Sequence, residues 1–212
     1  MSPGSAPQVV SVNVGTPRTV DFRGTEVLTS IWKFPVDGPV PVSGTNLDGD
    51  RQADLTVHGG TDKAVYAYAV EDSAWWTAEL SRDLGPAPFG ENLSTRGIDL
   101  SAVVIGERWR IGTAEFEASQ PRVPCFKLGI RHADQGLPRK FAAAGRPGVY
   151  LRIVGAGEVR AGDRIELLSR PSHGVTVGLV DEAYHRDRSL APQLLLAPEL
   201  TPSWHDWARE RL

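Results

Sequence analysis

Cysteine is nearly absent from the sequence: Cys125 is the only one in 212 residues. A single thiol excludes a disulfide within the chain and any cysteine-built iron–sulfur centre, and it fits a reducing compartment. Positive charge has no surplus, with 23 Lys and Arg against 26 Asp and Glu and a formal net charge of −3. That balance supplies no basic field of the kind that gathers nucleic acid or draws a protein to an anionic membrane surface. No apolar run approaches the roughly 20 residues that cross a bilayer. The opening MSPGSAPQ also lacks the basic, apolar, small-residue order of a secretion signal. The expectation is a cytoplasmic globular protein with no nucleic-acid and no membrane partner. Internal repeats are missing, and low-complexity sequence is confined to residues 1–8, read as a disordered N-terminus.

Glycine and proline, by contrast, are abundant, at 22 and 16 residues. Between them the apolar residues mostly recur at spacing two, which is the period of a half-buried strand. Residues 9–14, 26–36, 40–47, 103–111, 114–119, 149–154 and 164–168 read as strands. Few helical stretches separate them, so the pattern predicts a mainly β (α+β) fold, a closed or half-closed barrel rather than a parallel α/β sheet. Helical spacing is expected over 62–80, with Thr61 as its cap, and over 126–131, directly after the cysteine. From 171 the texture changes to short amphipathic pieces broken by Pro192, Pro198 and Pro202, with Ser203 as the expected cap of the last. The tail reads as about three helices docked on the barrel or on a second subunit, which allows a homodimer. Trp204 and Trp207, three apart, are read as burying the last of them. Asp181, Glu182, His185 and Asp187 are read as a solvated face.

Three segments carry chemistry-bearing residues. In SQPRVPCFKL, Arg122 and Lys127 flank Cys125, Pro121 and Pro124 stiffen the loop, and a helix start follows the sulfur; cations and helix starts both favour thiolate over thiol. The competing reading is a cysteine used as a small buried apolar residue. In VHGGTDK, a strand end runs into Gly59 and Gly60 and then the expected helix start, where exposed amides and Lys63 would seat a phosphate. A tight connection with a structural His58 explains the same residues. In FGENLSTRG, Glu91 and Asn92 lie with two hydroxyls and a base between glycines, a set able to hydrogen-bond a polar heterocycle or phosphate, or to form an ordinary turn.

Taken in order, HGGTDKAVYAY, FGENLSTRG, VVIGERWRIG and SQPRVPCFKL resemble the MOSC domain, the sulfurase C-terminal module of molybdenum cofactor enzymes. The likeness is to the stand-alone bacterial branch with a three-helix C-terminal extension. It implies a MOSC-type β-barrel with flanking helices over 9–170 and the helical extension over 171–212. It also implies a molybdopterin-type molybdenum cofactor in a cleft, with Cys125 as the metal ligand. By the same resemblance Asn92 and Glu91 contact cofactor or substrate, and Arg122 holds the pterin phosphate or the thiolate. Lys63, His58 and the Gly59–Gly60 turn line the cleft with Lys127. The implied activity is reduction of small N-hydroxylated compounds such as hydroxylaminopurine, with electrons from a separate flavin-type reductase. The separate N-terminal β domain of the longer eukaryotic-type N-hydroxy reductases is lacking, and with it part of their phosphate-binding set. The resemblance extends to sulfurase modules, where the cysteine would carry a persulfide. A non-enzymatic pterin- or partner-binding module is the remaining alternative.

Overall fold

The computed structural model of the chain describes residues 6–53 and 59–212. Eight strands make the main sheet, in the spatial order Ile165–Ser169 (β13), Arg108–Ile111 (β9), Ala114–Pro121 (β10), Val149–Gly155 (β11), Val65–Ala69 (β7), Leu93–Arg96 (β8), Gln8–Val14 (β1) and Phe34–Val36 (β4). Every neighbouring pair is antiparallel except β7 and β8. A second sheet holds Gly157–Val159 (β12), Val40–Ser43 (β5) and Asn46–Leu47 (β6), and Arg18–Phe22 (β2) pairs with Thr25–Thr29 (β3) in a separate hairpin.

The mixed, mainly β class is as expected, but the sheet does not close into a barrel. Its far sides meet at an isolated bridge between Gln8 and Arg164, with Val9 N donating to Asp163 O at 2.9 Å and Ile165 N to Pro7 O at 2.9 Å. Closure stops there because the other end of β1, Val12 to Val14, is already paired with β4.

The helix expected over 62–80 is a correction. Residues Thr61–Lys63 form a 3₁₀ turn, β7 follows, and helix α1 spans Val70–Glu79 with Ala69, not Thr61, as its N-cap. The reason is double-sided burial. Val65, Ala67 and Ala69 join the aliphatic core, while Tyr66 and Tyr68 join an aromatic one with Trp76, Phe89 and Phe141. Alternate residues thus enter different cores, which a strand's two faces allow and a single helix stripe does not. Residues 26–36 likewise divide into β3 and β4, and of 103–111 only β9 is strand.

The aromatic core is covered by α1 together with α2 (Phe126–His132) and α3 (Leu137–Ala144), which contribute Leu128, Leu137 and Phe141. Helix α2 stands where the short post-cysteine helix was expected. Helices α4 (Val177–His185), α5 (Ala191–Leu194) and α6 (Pro202–Arg209) share the aliphatic core with the sheet through Val180, Ala183, Leu194 and Trp204. Pro192 and Pro202 open helices instead of breaking them, because proline's missing N–H costs nothing in the first turn. The cap of α6 is therefore Thr201, one residue before Pro202, and not Ser203. Asp181 is not solvated either. It is buried and hydrogen-bonded by Arg186 at 2.9 Å, and burial pushes its pKa up to about 6.

The hairpin of β2 and β3 is mostly exposed and rests on few contacts: Phe22 lies 5.9 Å from the Phe126 ring, and Arg18 stacks 3.4 Å over Trp32. Among the described residues no helix is long and apolar enough to cross a membrane.

Candidate functional site

Strand β10 ends at Pro121, and the next residue delivers the buried Arg122 guanidinium toward the aromatic core. It donates to the Phe89 carbonyl and lies 5.0 Å from the centre of the Tyr66 ring. Three residues on, Cys125 is the N-cap of α2, its carbonyl accepting from Leu128 N at 3.0 Å. The half-buried sulfur-bearing side chain opens onto a cleft with about 610 Å³ of empty space, mouth included. Burial opposes the Arg122 charge, and Tyr66, Tyr150 and Cys125 outweigh it, so its pKa stays above the ordinary arginine value. A fixed cation beside a sulfur is the setting in which thiolates serve as ligands or nucleophiles.

The loop before β8 supplies Asn92, whose amide is fully engaged. Its Oδ1 accepts from Tyr66 N at 3.1 Å, and its Nδ2 donates to Asn13 O at 3.2 Å and Asp50 Oδ2 at 2.9 Å. Asn92 therefore ties β1, β7 and the Asp50 loop together at the cleft wall. Asn92→Ala strands the buried Tyr66 N–H and is expected to cost about 2 kcal/mol, lowering Tm by roughly 4–8 °C in a chain of this size. A thermal melt that moves by less than about 1 °C would show that this amide ties nothing together. Glu91 is buried but does not line the cleft; its carboxylate accepts from Phe89 N at 3.0 Å and Ser94 Oγ at 3.3 Å, and burial raises its pKa.

The VHGGTDK segment is only partly as expected. A 3₁₀ turn of three residues replaces the helix start, so the amide seat of a long helix is not there. Gly59 and Lys63 do line the cleft, and Gly60 caps the turn at φ 79°, a conformation that favours glycine. His58 lies outside the described residues. Burial lowers the Lys63 pKa, with Asp62 opposing the shift. Lys127, in the first turn of α2, lines the same cleft.

Sequence reasoning missed Lys33 and Asp50. Both side chains are buried in the cleft wall as an ion pair, and Asp50 Oδ1 also accepts from Gly15 N at 2.8 Å. Burial holds the Lys33 pKa below the usual lysine value, with Asp50 opposing. A lysine inside the apolar run IWKFPV was the available signal; the partner 17 positions away carried none.

Four cations, Lys33, Lys63, Arg122 and Lys127, thus surround the cleft against one carboxylate, Asp50, among the described residues. The cleft is cationic although the chain carries a net negative charge, and it suits an anionic occupant. No group of three or more His, Cys, Asp and Glu side chains able to hold a metal ion occurs among the described residues. Among the described residues Cys125 is the one soft donor on the cleft, so a metal held there by it would bring further ligands of its own. A molybdenum ion carried by the dithiolene of a phosphorylated pterin fits both conditions: a soft-sulfur environment completed by one soft sulfur, and an anionic body among cations.

Residues 54–166 match the MOSC domain family. The chain is 38% identical over 199 residues to the uncharacterized protein YflK of Bacillus subtilis strain 168, covering 92% of this chain and 90% of that one. It is 34% identical over 198 residues to a protein of Gibberella moniliformis strain M3125 named reductase, covering 89% of this chain but 35% of that longer protein. Among solved structures, YiiM from Geobacillus stearothermophilus superposes with a TM-score of 0.81 at 31% identity, covering 97% of this chain and 99% of that one.

Proposed function

Because the chain belongs to the MOSC domain family, we propose that it is a molybdenum-cofactor-dependent reductase of small N-hydroxylated compounds, with Cys125 as the protein's ligand to the metal. The observation that carries this reading is the placement of one sulfur on a cleft ringed by Lys33, Lys63, Arg122 and Lys127. A relative named reductase supports the redox class.

When bound, the cofactor supplies two-electron chemistry that accepts an oxygen atom from the substrate. In the overall reaction the N–O bond of R–NHOH breaks, two electrons and two protons enter, and R–NH₂ and water leave. The electrons come from a separate flavin-type reductase. The chain's own residues bind and orient. Arg122, fixed by the Phe89 carbonyl, and Lys127 face the cleft on the cysteine's side. Lys33, fixed by Asp50, and Lys63 line it from the segments that precede β4 and β7. Together they hold the cofactor's negative charge. Tyr66 and Tyr150 give the cleft apolar walls that limit water around the sulfur.

The test is direct. Protein isolated from a host that makes the cofactor is expected to hold molybdenum near one atom per chain and to reduce 6-hydroxylaminopurine with a reduced viologen dye as electron source. Metal-replete protein that turns over no N-hydroxylated compound would refute the activity, and protein without molybdenum would refute the cofactor.

A further inference from the structure

Lys63 reaches the cleft from a very short element. The 3₁₀ turn Thr61–Lys63 has no side-chain cap, and its hydrogen bond from Lys63 N to Gly60 O is long, at 3.2 Å. Gly59 and Gly60 precede it with φ of 103° and 79°, and glycine has the widest backbone freedom of any residue. One isolated turn does not hold its own shape in water. The position of Lys63 must therefore be set by what packs against the turn.

Arg152 of β11, directly across from Glu117 of β10, spreads its guanidinium over three elements. Its Nε donates to Asp62 Oδ1 in the turn at 2.6 Å, and its two terminal nitrogens donate to Glu117 Oε1 and to the Glu199 carbonyl, each at 2.8 Å. Glu199 lies between α5 and α6, in the C-terminal extension. Two of these anchors are themselves fastened. Glu117 also accepts from Arg108 Nε at 2.9 Å, and Trp204 Nε1 of α6 donates to Gln120 Oε1 of β10 at 2.8 Å. A planar guanidinium held at two corners has little freedom at the third, which a flexible lysine ammonium would keep. The third corner is the turn that carries Lys63.

We propose that Arg152 is a positioning residue, which links the docked C-terminal helices to the Thr61–Lys63 turn and so holds the Lys63 cation at the cleft. The proposal rests on the reading of the cleft as an anion site for what Lys63 contacts there, and on the Arg152 contacts alone for how Lys63 is placed. It gives the C-terminal extension a part in the site although none of its residues lines the cleft.

The test uses the full chain, made in a host without the cofactor so that the cleft is open to a probe. The variants are Arg152→Met, Asp62→Ala, Lys63→Met and the double variant Arg152→Met with Lys63→Met. Two quantities are measured: hydrogen exchange of the Lys63 and Leu200 amides by NMR, and affinity for inorganic pyrophosphate by calorimetry. Arg152→Met is expected to speed exchange at both amides about tenfold, and Asp62→Ala at Lys63 alone. The Asp62 side chain is 42% exposed, so its removal spares the core, and its Lys63 exchange decides the matter should Arg152→Met fail to fold. Arg152→Met is expected to weaken pyrophosphate binding about tenfold, as losing a residue that orients a ligating group does. Once Lys63 is replaced by methionine, Arg152→Met is expected to weaken it no further, whereas a merely structural role would act equally in both backgrounds. Unchanged Lys63 exchange in a folded single variant, or equal losses of affinity with and without Lys63, overturns the proposal. Faster Lys63 exchange in a chain whose parent binds no pyrophosphate upholds the positioning, and that result counts against the anion-site reading alone.

Discussion

Cys125→Ala is expected to remove the molybdenum and to lower reductase activity at least about 100-fold, since changes merely around a metal ligand already cost 10–100-fold in affinity or activity. The fold should survive. Cys125 is half-buried at the N-cap position of α2, and its side chain makes no capping hydrogen bond to that helix. Thermal stability is therefore expected to move by less than about 1 kcal/mol. The pair of readouts separates roles: metal analysis reports the ligand and the melt reports the scaffold. A variant that keeps its full metal would show that the cysteine is not the ligand. A persulfide found on the parent's Cys125 by intact mass would favour sulfur transfer in its place.

The second large effect is expected at Asp50. In Asp50→Ala, the buried Lys33 ammonium loses its carboxylate, and Gly15 N and the Asn92 amide lose an acceptor. Breaking one half of a buried pair costs roughly 3–5 kcal/mol, because the remaining charge is left without compensation. The urea midpoint should fall accordingly. Adding Lys33→Met removes that stranded charge and should recover the electrostatic share, while the lost hydrogen bonds of Gly15 and Asn92 persist. A single variant that loses under about 1 kcal/mol would mean that water reaches Lys33 and screens it.

These two positions also mark how far the sequence could be read. The place of Cys125, on the cleft at the start of α2, was legible because its signals are local: two prolines, flanking cations and a short helix all lie within a few residues. Asn92 was legible as a polar residue between glycines, but its engagement with Tyr66, Asn13 and Asp50 depends on strands that meet only in the folded chain. Lys33 and Asp50 were hidden for the same reason. The misread helix over 62–80 arose because VYAYAV satisfies two periods at once; burial on both faces, invisible in a single segment, decided for the strand. Trp204 was read as core, which it is, and its hydrogen bond to Gln120 follows only from the docking of α6 beside β10.

Strand β7, sealed between two cores, has a consequence for local opening. Its backbone can open only when the whole sheet does, so amide exchange along Tyr66 and Tyr68 should track global unfolding. The mostly exposed hairpin of β2 and β3 should exchange its amides far faster. The cleft wall that Tyr66 supplies therefore belongs to the last part of the molecule to let go.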